Sequence, residues 1–524
     1  MTAQPKICVA THHASIAELL ADAEFRALAH RDGFLIELRL DFFDDLAPES
    51  LDRALDAFAP EVLVTFRHPL EGGKRPDASD TERLRFLQRA ADRGVQYIDI
   101  EARTPRGDFN KRGAKLVLSY HDFEKVPDFE TLLKDIHLPM ATSPSVDVVK
   151  IALMPQTTED LAAGLILMEL GRDTASHGPS TLVLLMGEAG LWSRVLAGYF
   201  GAPFTFARGE GSTGTAPGQP TWRELDELYR FRDIRPDWPV YGVIGNPIGH
   251  SLSPLMHNTA LKHLGLPGVY LPFKVDAEGV RFFKKSFAFG FVSGVSVTIP
   301  HKETIMECCD RIDPAAKAIG AVNTLRTISV LCAEDETAGC APENGWEGSN
   351  TDAPAAADCL EDALGTLRGK HVLVIGAGGA ARAVAVGVTE RGARVSVLNR
   401  TRERAEQLAR ETGATAVAVE DLAALHFDAI VNTTPLGMYP NVDATPLTEN
   451  QIPQGGLVFD TVYNPLRTRF LELAEQRGCT TIEGISMFIR QGVRQFELWT
   501  GQTAPREVMH RVVLDALKKR QAKK

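Results

Sequence analysis

Short apolar runs alternate with longer amphipathic segments over the first two hundred residues of the chain. The runs are KICVA, FLIELRLD, EVLVTFR, YIDIE, KLVLSYH, VDVVKIAL, TLVLLM and FTFARG, and their content of β-branched and aromatic residues favours strands. Apolar positions recur with helical periodicity in residues 14–29, 81–93, 159–171 and 192–200. Eight parallel strands alternating with helices predict an α/β protein whose N-terminal part is a (β/α)8 barrel.

Several of these apolar runs carry a charged or titratable residue near their carboxyl end, where the active sites of such barrels lie. Glu37 and Arg39 lie two residues apart, so their side chains share one face of the second strand. Arg67, Glu101 and His121 close the third, fourth and fifth strands. The sequence therefore predicts a polar site at the mouth of the barrel, and we expect Glu101 to be a structural carboxylate there.

Lys150 stands in the middle of the apolar run VDVVKIAL. Burial lowers the pKa of a lysine, and a neutral amine beside a carbonyl compound forms a Schiff base. Alternatively, the side chain extends to solvent or pairs with Glu37. His121 by itself is more often a structural histidine, but beside a Schiff-base lysine it is a candidate proton carrier.

Residues 371–400 have the pattern strand, glycine-rich turn, helix, strand. The turn GAGGAA fits G-x-G-x-x-G/A with alanine in the last place. Gly376 permits the tight turn, Gly378 lets the backbone approach a pyrophosphate, and Ala381 lets the helix pack close to the strand. The segment therefore predicts a Rossmann dinucleotide-binding unit.

The end of the second strand of this unit favours NADP over NAD. Asn399, Arg400 and Thr401 stand where NAD-binding units usually have an acidic residue, and Arg402 and Arg404 follow. A guanidinium binds a 2′-phosphate through paired charge-assisted hydrogen bonds, whereas a carboxylate repels it. The alternative is a solvated basic helix start.

Between the predicted barrel and the dinucleotide unit, polar residues follow two apolar strands. Ser251 and Ser253 come after the strand VYGVIG (240–245), and without further information they are better explained as helix N-caps. Lys302 follows GVSVTIP, Asn323 lies in AVNT and Asp352 lies in SNTD. Residues 328–348 lack periodicity and predict a mobile loop or a hairpin of unknown role.

Composition limits the classes of protein that the chain represents. With 524 residues we expect two to three domains, and the net charge of −11 is spread along the chain, which argues against nucleic acid or a membrane as a partner. No apolar stretch is long enough to span a bilayer, and the first strand begins too early to leave room for a leader peptide. Seven scattered cysteines without a C-x-x-C pair favour a reduced, cytoplasmic setting and predict no metal site.

Six motifs in the first half occur in one order: ELRLD (37–41), TFRHPLEGG (65–73), SYHDF (119–123), VDVVKIA (146–152), MGEAGLWSR (186–194) and TAPGQ (215–219). Together they resemble type I 3-dehydroquinate dehydratase. The resemblance implies that Lys150 forms a Schiff base with the C3 ketone of 3-dehydroquinate, and that His121 removes the C2 proton and then helps water to leave. It also implies that Glu71 is a polar partner near the histidine. The remaining implied substrate contacts are Glu37, Arg39, Arg67, Arg194, Thr215, where serine is expected, and Gln219.

The second half carries SLSP, SVTIPHKE, AVNT, SNTD, GAGGAARA, NRT, TTPLGM, VYNP and GISMFIRQ in one order, which resembles shikimate dehydrogenase over residues 238–524. The resemblance implies that Lys302 and Asp352 are the catalytic pair, in which a lysine ammonium steadied by a carboxylate protonates the alkoxide left by hydride transfer. It implies substrate contacts from Ser251, Ser253, Thr298, Asn323, Asp352 and Gln491. It also implies the residues that bind the nucleotide or line the cleft beside it, which are Gly376, Ala377, Gly378, Gly379, Ala380, Asn399, Arg400, Thr401, Tyr463 and Gly484.

The two resemblances predict a fusion of the two enzymes, similar to the two-domain enzyme of plants, because the product of the first reaction is the substrate of the second. We expect the barrel in residues 1–232, a substrate-binding domain in 238–345 with helices of 484–524 packed back on it, and the NADP domain in 346–483. The partners implied are 3-dehydroquinate, 3-dehydroshikimate and shikimate, with the oligomeric state left open. The alternatives are quinate or NAD specificity in the second half, or an inactive sensor of pathway intermediates.

Overall fold

The computed structural model describes residues 4–174, 178–281, 291–330 and 343–522. Contacts between backbone positions divide the chain into two compact units. One unit comprises Met1–Pro239 and Pro267–Phe287, and the other comprises Val240–Leu266 and Ala288–Lys524.

The first unit contains the predicted barrel. Its strands β1 to β8 span Lys6–Ala10, Phe34–Arg39, Val62–Thr65, Tyr97–Glu101, Lys115–Asp122, Val146–Leu153, Ser180–Leu185 and Phe204–Arg208. They pair in parallel in the order β7-β6-β5-β4-β3-β2-β1-β8 and form a near-closed barrel. Because all strands point the same way, their carboxyl ends meet at one end of the barrel, which is where the polar residues of the sequence were expected.

The helices of the barrel differ from the predicted ones in detail. Residues 14–29 form two helices rather than one, because the Asp22 side chain accepts hydrogen bonds from the backbone N–H groups of Glu24 and Phe25 and starts a new helix. The predicted helix 192–200 is shorter and ends at Val195. The helices of this unit are Ile16–Ala21, Ala23–Ala29, Pro48–Phe58, Asp80–Asp92, Phe129–Thr131, Leu138–Ala141, Thr158–Thr174 and Leu191–Val195.

A second sheet contains strands of both orientations. Strands β9 to β14 span Val240–Gly245, Val269–Lys274, Val292–Val297, Arg311–Ile312, Thr324–Val330 and Glu343–Ser349, in the order β10-β9-β11-β13-β14-β12. Strands β13 and β14 are antiparallel neighbours, so the two ends of the segment 328–348 form a hairpin. Residues 331–342 of that segment, with Cys332 and Cys340, lie outside the described residues.

The third sheet is the predicted Rossmann sheet. Strands β15 to β20 span His371–Ile375, Arg394–Leu398, Thr415–Ala416, Ala429–Asn432, Leu457–Asp460 and Thr480–Ile482, all parallel, in the order β17-β16-β15-β18-β19-β20. Val372 and Val374 pack into the core on one face, and Leu373 and Ile375 pack into the core on the other. The strand order reverses between β15 and β18, and the crevice at such a reversal is where open α/β sheets bind ligands.

The helices of the second unit are Ser253–His263, Pro314–Ile319, Asp352–Leu364, Gly379–Glu390, Arg402–Thr412, Arg469–Gln476, Ile485–Thr500 and Arg506–Ala522. The apolar segments DAIVNTTPLGM (428–438) and LVFDTVYNP (457–465) suggest longer strands than the structure has, since β18 ends at Asn432 and β19 at Asp460 and turns and bends follow both. The five cysteines among the described residues are free thiols. No helix in the described part of the chain is both long and apolar enough to cross a membrane.

Two candidate active sites

The nine barrel residues that the sequence assigns to catalysis or substrate binding line a single pocket. They are Glu37, Arg39, Arg67, Glu71, His121, Lys150, Arg194, Thr215 and Gln219. Strand register explains part of this arrangement, because Lys150 of β6 is the neighbour of Ser119 of β5 and His121 lies two residues further along the same strand. Side chains two residues apart on a strand share a face, so the lysine and the histidine both face the pocket.

Lys150 neither extends to solvent nor pairs with Glu37. Its side chain is buried, with Nζ 3.0 Å from Asp99 Oδ2 and 4.1 Å from the centre of the Phe206 ring. The Glu37 carboxylate instead accepts a hydrogen bond from Thr65 Oγ1 at 2.8 Å. Burial lowers the pKa of the Lys150 amine, and the attraction of Asp99 offsets only part of that effect. The amine is therefore easier to deprotonate than a lysine in water, as a nucleophile requires.

Asp99 is the residue of this site that the sequence interpretation missed. It is fully buried in β4, two residues before Glu101, and it accepts hydrogen bonds from Arg67 at 3.0 and 2.9 Å and from Ser119 Oγ at 2.5 Å. Burial raises the pKa of the Asp99 carboxyl, but the charges of Arg67 and Lys150 outweigh it and hold that pKa below its ordinary value. A signal was present, because YIDIE places two acidic side chains on one face of an apolar strand.

His121 is hydrogen-bonded to Glu71. Its Nδ1 lies 2.9 Å from Glu71 Oε2, and the same carboxylate oxygen accepts the backbone N–H of His121 at 3.0 Å. Burial, reinforced by the charges of Arg67 and Lys150, lowers the pKa of the imidazole, whereas burial raises the pKa of Glu71 to about 7. The ring is therefore neutral near neutral pH. When Glu71 is ionised, Nδ1–H donates to its carboxylate, so the ring proton lies on Nδ1 and Nε2 keeps a free lone pair.

Two arginines of the pocket differ in their partners. Arg39 is held by Asp41 through two hydrogen bonds of 2.9 and 2.8 Å. Arg194 is fully buried, its Nε has no hydrogen-bond partner among the described residues, and burial lowers its pKa to about 10. A buried guanidinium with an unused donor is suited to bind an anion.

The remaining pocket residues form a rim on the loop after β8. The backbone N–H of Thr215 donates to Gln219 Oε1 at 2.9 Å, and Gln219 Nε2 donates to the backbone carbonyl of Ala207 at 3.0 Å. The loop is thereby tied to the strand that precedes it. Glu101 does not line the pocket and is buried between Arg67 and Arg83, which supports the structural role expected for it.

The second site contains Lys302 and Asp352. Lys302 Nζ lies 2.5 Å from Asp352 Oδ2. Asp352 is the first residue of its helix, where its backbone N–H donates to Asn350 Oδ1 at 3.0 Å. A β-carbon added to Gly379 would lie 3.2 Å from Lys302 Cβ, so the start of the dinucleotide helix is in close contact with this ion pair. The fold therefore brings the glycine turn and the Lys302–Asp352 ion pair together.

Neither of the two serines near residue 250 is an N-cap. The N-cap of the helix Ser253–His263 is Leu252, and Ser251 Oγ accepts the backbone N–H of Ser253 at 3.2 Å. Thr298 follows β11, and its backbone N–H donates to the carbonyl of Ile244 at 3.0 Å. Both segments thus follow neighbouring parallel strands, β9 and β11, at the same edge of the sheet.

Asn323 lies in a buried hydrogen-bond network. Its Nδ2 donates to Thr351 Oγ1 at 2.9 Å, and its Oδ1 accepts from Thr324 Oγ1 at 2.7 Å. Gln495, which the sequence interpretation did not single out, donates to Thr324 Oγ1 at 3.0 Å and accepts from Ser296 Oγ at 2.8 Å. The network connects the final helices to the residue before Asp352.

The remaining cleft residues are grouped around the helix Ile485–Thr500. Tyr463 stacks on Phe488 with 4.3 Å between ring centres, and Gln491 Nε2 donates to the carbonyl of Phe488 at 2.7 Å. Gly484 precedes this helix, and a β-carbon there would lie 2.4 Å from the carbonyl oxygen of Val462. Glycine at this position is thus explained by close backbone packing.

The glycine turn fits a bound pyrophosphate. Gly376 has φ +121°, a conformation that side chains disfavour, and a β-carbon there would lie 2.5 Å from Thr433 Oγ1. Gly378 is the N-cap of the helix Gly379–Glu390, and no side chain caps this helix start. The space that a β-carbon of Gly378 would occupy is open. The first N–H groups of a helix have no partner within that helix, and those of Gly379 and Ala380 have no hydrogen bond among the described residues. Such groups favour a negatively charged ligand. Ala377 lies in the same turn.

The residues expected at the ribose follow β16. Asn399 Nδ2 donates to the backbone carbonyl of Thr401 at 2.9 Å, which shapes the turn. Arg400 and Arg404 are exposed, and Arg402 pairs with Glu406 one turn further along the helix at 2.9 Å. Arg400 and Arg404 thus present cationic groups on the surface beside the glycine turn.

Models of protein families match both halves of the chain. Type I 3-dehydroquinase matches residues 7–236, and the shikimate dehydrogenase substrate-binding domain matches residues 243–325. Shikimate/quinate 5-dehydrogenase matches residues 358–435, and the shikimate 5′-dehydrogenase C-terminal domain matches residues 484–514. The matches follow the same order as the motifs.

A relative in Arabidopsis thaliana, the chloroplastic bifunctional 3-dehydroquinate dehydratase/shikimate dehydrogenase, is 38% identical over 503 residues, which cover 91% of this chain and 79% of the relative. The chain belongs to the bifunctional 3-dehydroquinate dehydratase/shikimate dehydrogenase family. The second half of this family member is also similar to shikimate dehydrogenase (NADP(+)) of Methanopyrus kandleri, with 42% identity over 53% of this chain and 96% of the relative. The structure of a Thermus thermophilus shikimate 5-dehydrogenase with NADP(H) and shikimate is 37% identical, covering 53% of this chain and 99% of that one, with a TM-score of 0.47.

Proposed function

We propose that this chain catalyses two consecutive reactions, dehydration of 3-dehydroquinate to 3-dehydroshikimate and NADPH-dependent reduction of 3-dehydroshikimate to shikimate. Membership in the bifunctional family and the agreement of both sets of motifs support this function. The observation that most strongly supports the first reaction is a buried lysine in a pocket with a neutral histidine.

In the barrel, we assign nucleophilic catalysis to Lys150. Its neutral amine adds to the C3 ketone of 3-dehydroquinate to give a carbinolamine. The carbinolamine takes up one proton from solvent and loses its hydroxyl group as water, which forms an iminium ion beside the Asp99 carboxylate. The iminium acidifies the C2–H bond, and His121 Nε2 takes that proton. The electron pair of the broken C–H bond forms the new double bond as the hydroxyl group leaves, and His121 returns the proton to it as water departs. Hydrolysis of the iminium releases 3-dehydroshikimate and restores the amine.

The substrate contacts in the barrel follow from charge and position. Arg194, buried and with an unused donor, is suited to the substrate carboxylate, and Arg67 lies next to Asp99. The contacts that we propose for the carboxylate and hydroxyl groups are Glu37, Arg39, Arg67, Glu71, Arg194, Thr215 and Gln219.

In the second unit, we assign acid-base catalysis to Lys302 and Asp352. NADPH, when bound at the glycine turn, would supply a hydride to the ring carbonyl carbon. Lys302 then donates a proton to the oxygen, and Asp352 stabilises the ammonium form at a distance of 2.5 Å. The proposed substrate contacts are Ser251, Ser253, Thr298, Asn323 and Gln491. The proposed nucleotide and cleft contacts are Gly376, Ala377, Gly378, Gly379, Ala380, Asn399, Arg400, Thr401, Tyr463 and Gly484.

We propose domain limits of 1–232 for the barrel, 238–345 with 484–524 for the substrate-binding domain, and 346–483 for the NADP domain.

A cytoplasmic location is proposed because the described cysteines are free thiols, which persist in reducing compartments. Small molecules are the proposed partners, and the charge distribution gives no support for nucleic acid.

A coupled assay tests both halves. Purified chain is supplied with 3-dehydroquinate and NADPH, and the absorbance of the enone product and of reduced nucleotide is followed for the parent, Lys150→Ala and Lys302→Ala. We expect Lys150→Ala to block enone formation while reduction of added 3-dehydroshikimate continues, and Lys302→Ala to let enone accumulate. If the parent forms enone but oxidises neither NADPH nor NADH with added 3-dehydroshikimate, the function proposed for the second half is wrong. Quinate with NADP+ and with NAD+ is assayed in parallel to determine specificity.

A further inference from the structure

A buried arginine outside the pocket is connected to the pocket through other buried charged residues. Arg83 belongs to the outer helix Asp80–Asp92, yet its side chain is fully buried. Its Nε donates to the backbone carbonyl of Phe66 at 3.0 Å, its Nη1 pairs with Asp80 at 2.5 Å, and its Nη2 pairs with Glu101. Burying a guanidinium is costly unless its donors are satisfied, so a contact set this complete indicates a defined position.

Glu101 connects Arg83 to the pocket. Its Oε1 accepts from Arg67 Nη1 and from the backbone N–H of His68, each at 2.9 Å, while Oε2 faces Arg83. Arg67 in turn binds Asp99 with both terminal nitrogens, and Asp99 holds Lys150. Buried charges of alternating sign thus run without interruption from the outer helix to the amine.

Arg83 restrains this arrangement at two points. It holds the backbone carbonyl of Phe66, the residue before Arg67, and it holds the carboxylate that Arg67 binds. Each charge in a buried chain is positioned by its neighbours, because a displaced member leaves an unpaired charge at low dielectric. Loss of Arg83 therefore removes the charged partner of Glu101 Oε2, which keeps Thr104 Oγ1 at 3.3 Å, and weakens the restraint on Glu101 and through it on Arg67 and Asp99.

We propose that Arg83 is a positioning residue for the dehydratase reaction: it sets the Glu101, Arg67 and Asp99 chain against Lys150. The proposal rests on the function proposed above for the barrel. Arg83 touches neither substrate nor reacting atoms, so its effect is on the alignment of the amine and its carboxylate partner.

Borohydride trapping tests the proposal. Borohydride reduces the iminium between Lys150 and 3-dehydroquinate to a stable secondary amine, and the adduct is counted by intact mass. The variants are Arg83→Met, Arg83→Lys and, as a matched control, Arg85→Met, which alters an exposed arginine of the same helix. The dehydrogenase activity of the same chain calibrates the amount of active protein in each preparation.

We expect Arg83→Met to lower the dehydratase kcat and the trapping rate about 10- to 100-fold, because misplacement of reacting groups by about 1 Å has effects of this size. Arg83→Lys keeps the positive charge but lacks the guanidinium group that reaches both Glu101 and Phe66. Its kcat and trapping rate should therefore lie between those of Arg83→Met and the parent. Arg85→Met should match the parent.

A purely structural role gives a different result. Arg83→Met would then lower the thermal midpoint or the trapped fraction, but the trapping rate and kcat of the folded protein would equal those of the parent, which overturns the proposal. If Arg83→Met does not fold, the trapping rate of Glu101→Gln tests the proposal instead, because glutamine keeps the shape of the side chain but weakens the ion pair with Arg83. A trapping rate of Glu101→Gln equal to that of the parent overturns the proposal. A parent that fails to dehydrate 3-dehydroquinate refutes the proposed barrel function first, and this inference with it.

Discussion

Lys150 Nζ and Asp99 Oδ2 lie 3.0 Å apart, and both side chains are buried. The pair serves two opposite needs, because a nucleophilic amine must lose its proton whereas the iminium that follows carries a positive charge. Burial favours the neutral amine, and the Asp99 carboxylate favours the cation. The relationship suggests that Asp99 contributes to catalysis mainly after the Schiff base has formed.

Replacing the carboxylate of Asp99 tests this idea. In Asp99→Asn we expect kcat of the dehydratase to fall about 100- to 1,000-fold, the range for removal of one preorganised electrostatic contact. Rapid-quench measurements with borohydride should show a smaller population of iminium at steady state. Ser119→Ala, which removes one hydrogen bond to the same carboxylate but no charge, serves as the control and should lose much less activity. Equal losses in both variants would contradict an electrostatic role.

Glu71 should make the barrel less stable as the pH rises. Its pKa in the folded chain is about 7 because of burial, above its ordinary value of 4.5, so folding favours the protonated form. This contribution to stability is fully present below pH 4.5 and is lost as the pH rises through 7. Glu71→Gln cannot ionise, and we expect it to unfold at a higher denaturant concentration than the parent at pH 8, by on the order of 1–3 kcal/mol.

Denaturation curves at pH 5 and pH 8 check that prediction. The stability difference between Glu71→Gln and the parent should be small at pH 5 and grow toward pH 8. The dehydratase kcat of the variant should nevertheless fall, because an amide stabilises a protonated His121 less than a carboxylate does. A difference independent of pH would show that the Glu71 titration does not limit stability.

Two glycines of the dinucleotide turn should respond differently to alanine. Gly378 has an extended backbone and open space at its β-carbon, so Gly378→Ala should leave the thermal midpoint unchanged but raise KM for NADPH by blocking close approach of the pyrophosphate. Gly376 has φ +121° and would place a β-carbon 2.5 Å from Thr433 Oγ1. Gly376→Ala should therefore destabilise the fold by about 1–3 kcal/mol. Unchanged nucleotide binding in Gly378→Ala would contradict the proposed site.

Arg400 should determine the preference for NADPH. It is exposed after β16, and a charge-assisted hydrogen bond to a 2′-phosphate is worth enough to change affinity about 10- to 100-fold. We expect Arg400→Ala to raise KM for NADPH by that factor and to change KM for NADH little. Arg410→Ala, an exposed arginine in the last turn of the adjacent helix, is the control. Parallel losses with both nucleotides would assign Arg400 a role other than phosphate recognition.

Most of the architecture was predictable because it depends on local patterns. The eight apolar runs of the barrel and the turn GAGGAA each signal their structure within about ten residues, and all of them occur where predicted. Element ends were less predictable. The division of residues 14–29 at Asp22, for example, depends on a side chain that caps one helix while it ends another.

Individual site residues were predictable where an unusual residue type interrupts an apolar strand. Lys150 and His121 were found this way, whereas Glu71 and Arg194 depended on the family resemblance, because they lie on turns and helices without a periodic signal. Asp99 and Gln495 were missed. Each is a polar residue in an otherwise ordinary strand or helix, and only its contacts distinguish it.

The sequence by itself determined most of the strands and helices, where the nucleotide turn lies, and that a lysine interrupts an apolar strand, since all three depend on neighbours along the chain. Only the tertiary structure decided that Lys150 pairs with Asp99 instead of Glu37, and that Arg83 of an outer helix joins the same chain of charges. The physical reason is that such pairing depends on distances of about 3 Å between side chains of different strands. Strand order, register and side-chain reach set those distances together, and no stretch of sequence contains them.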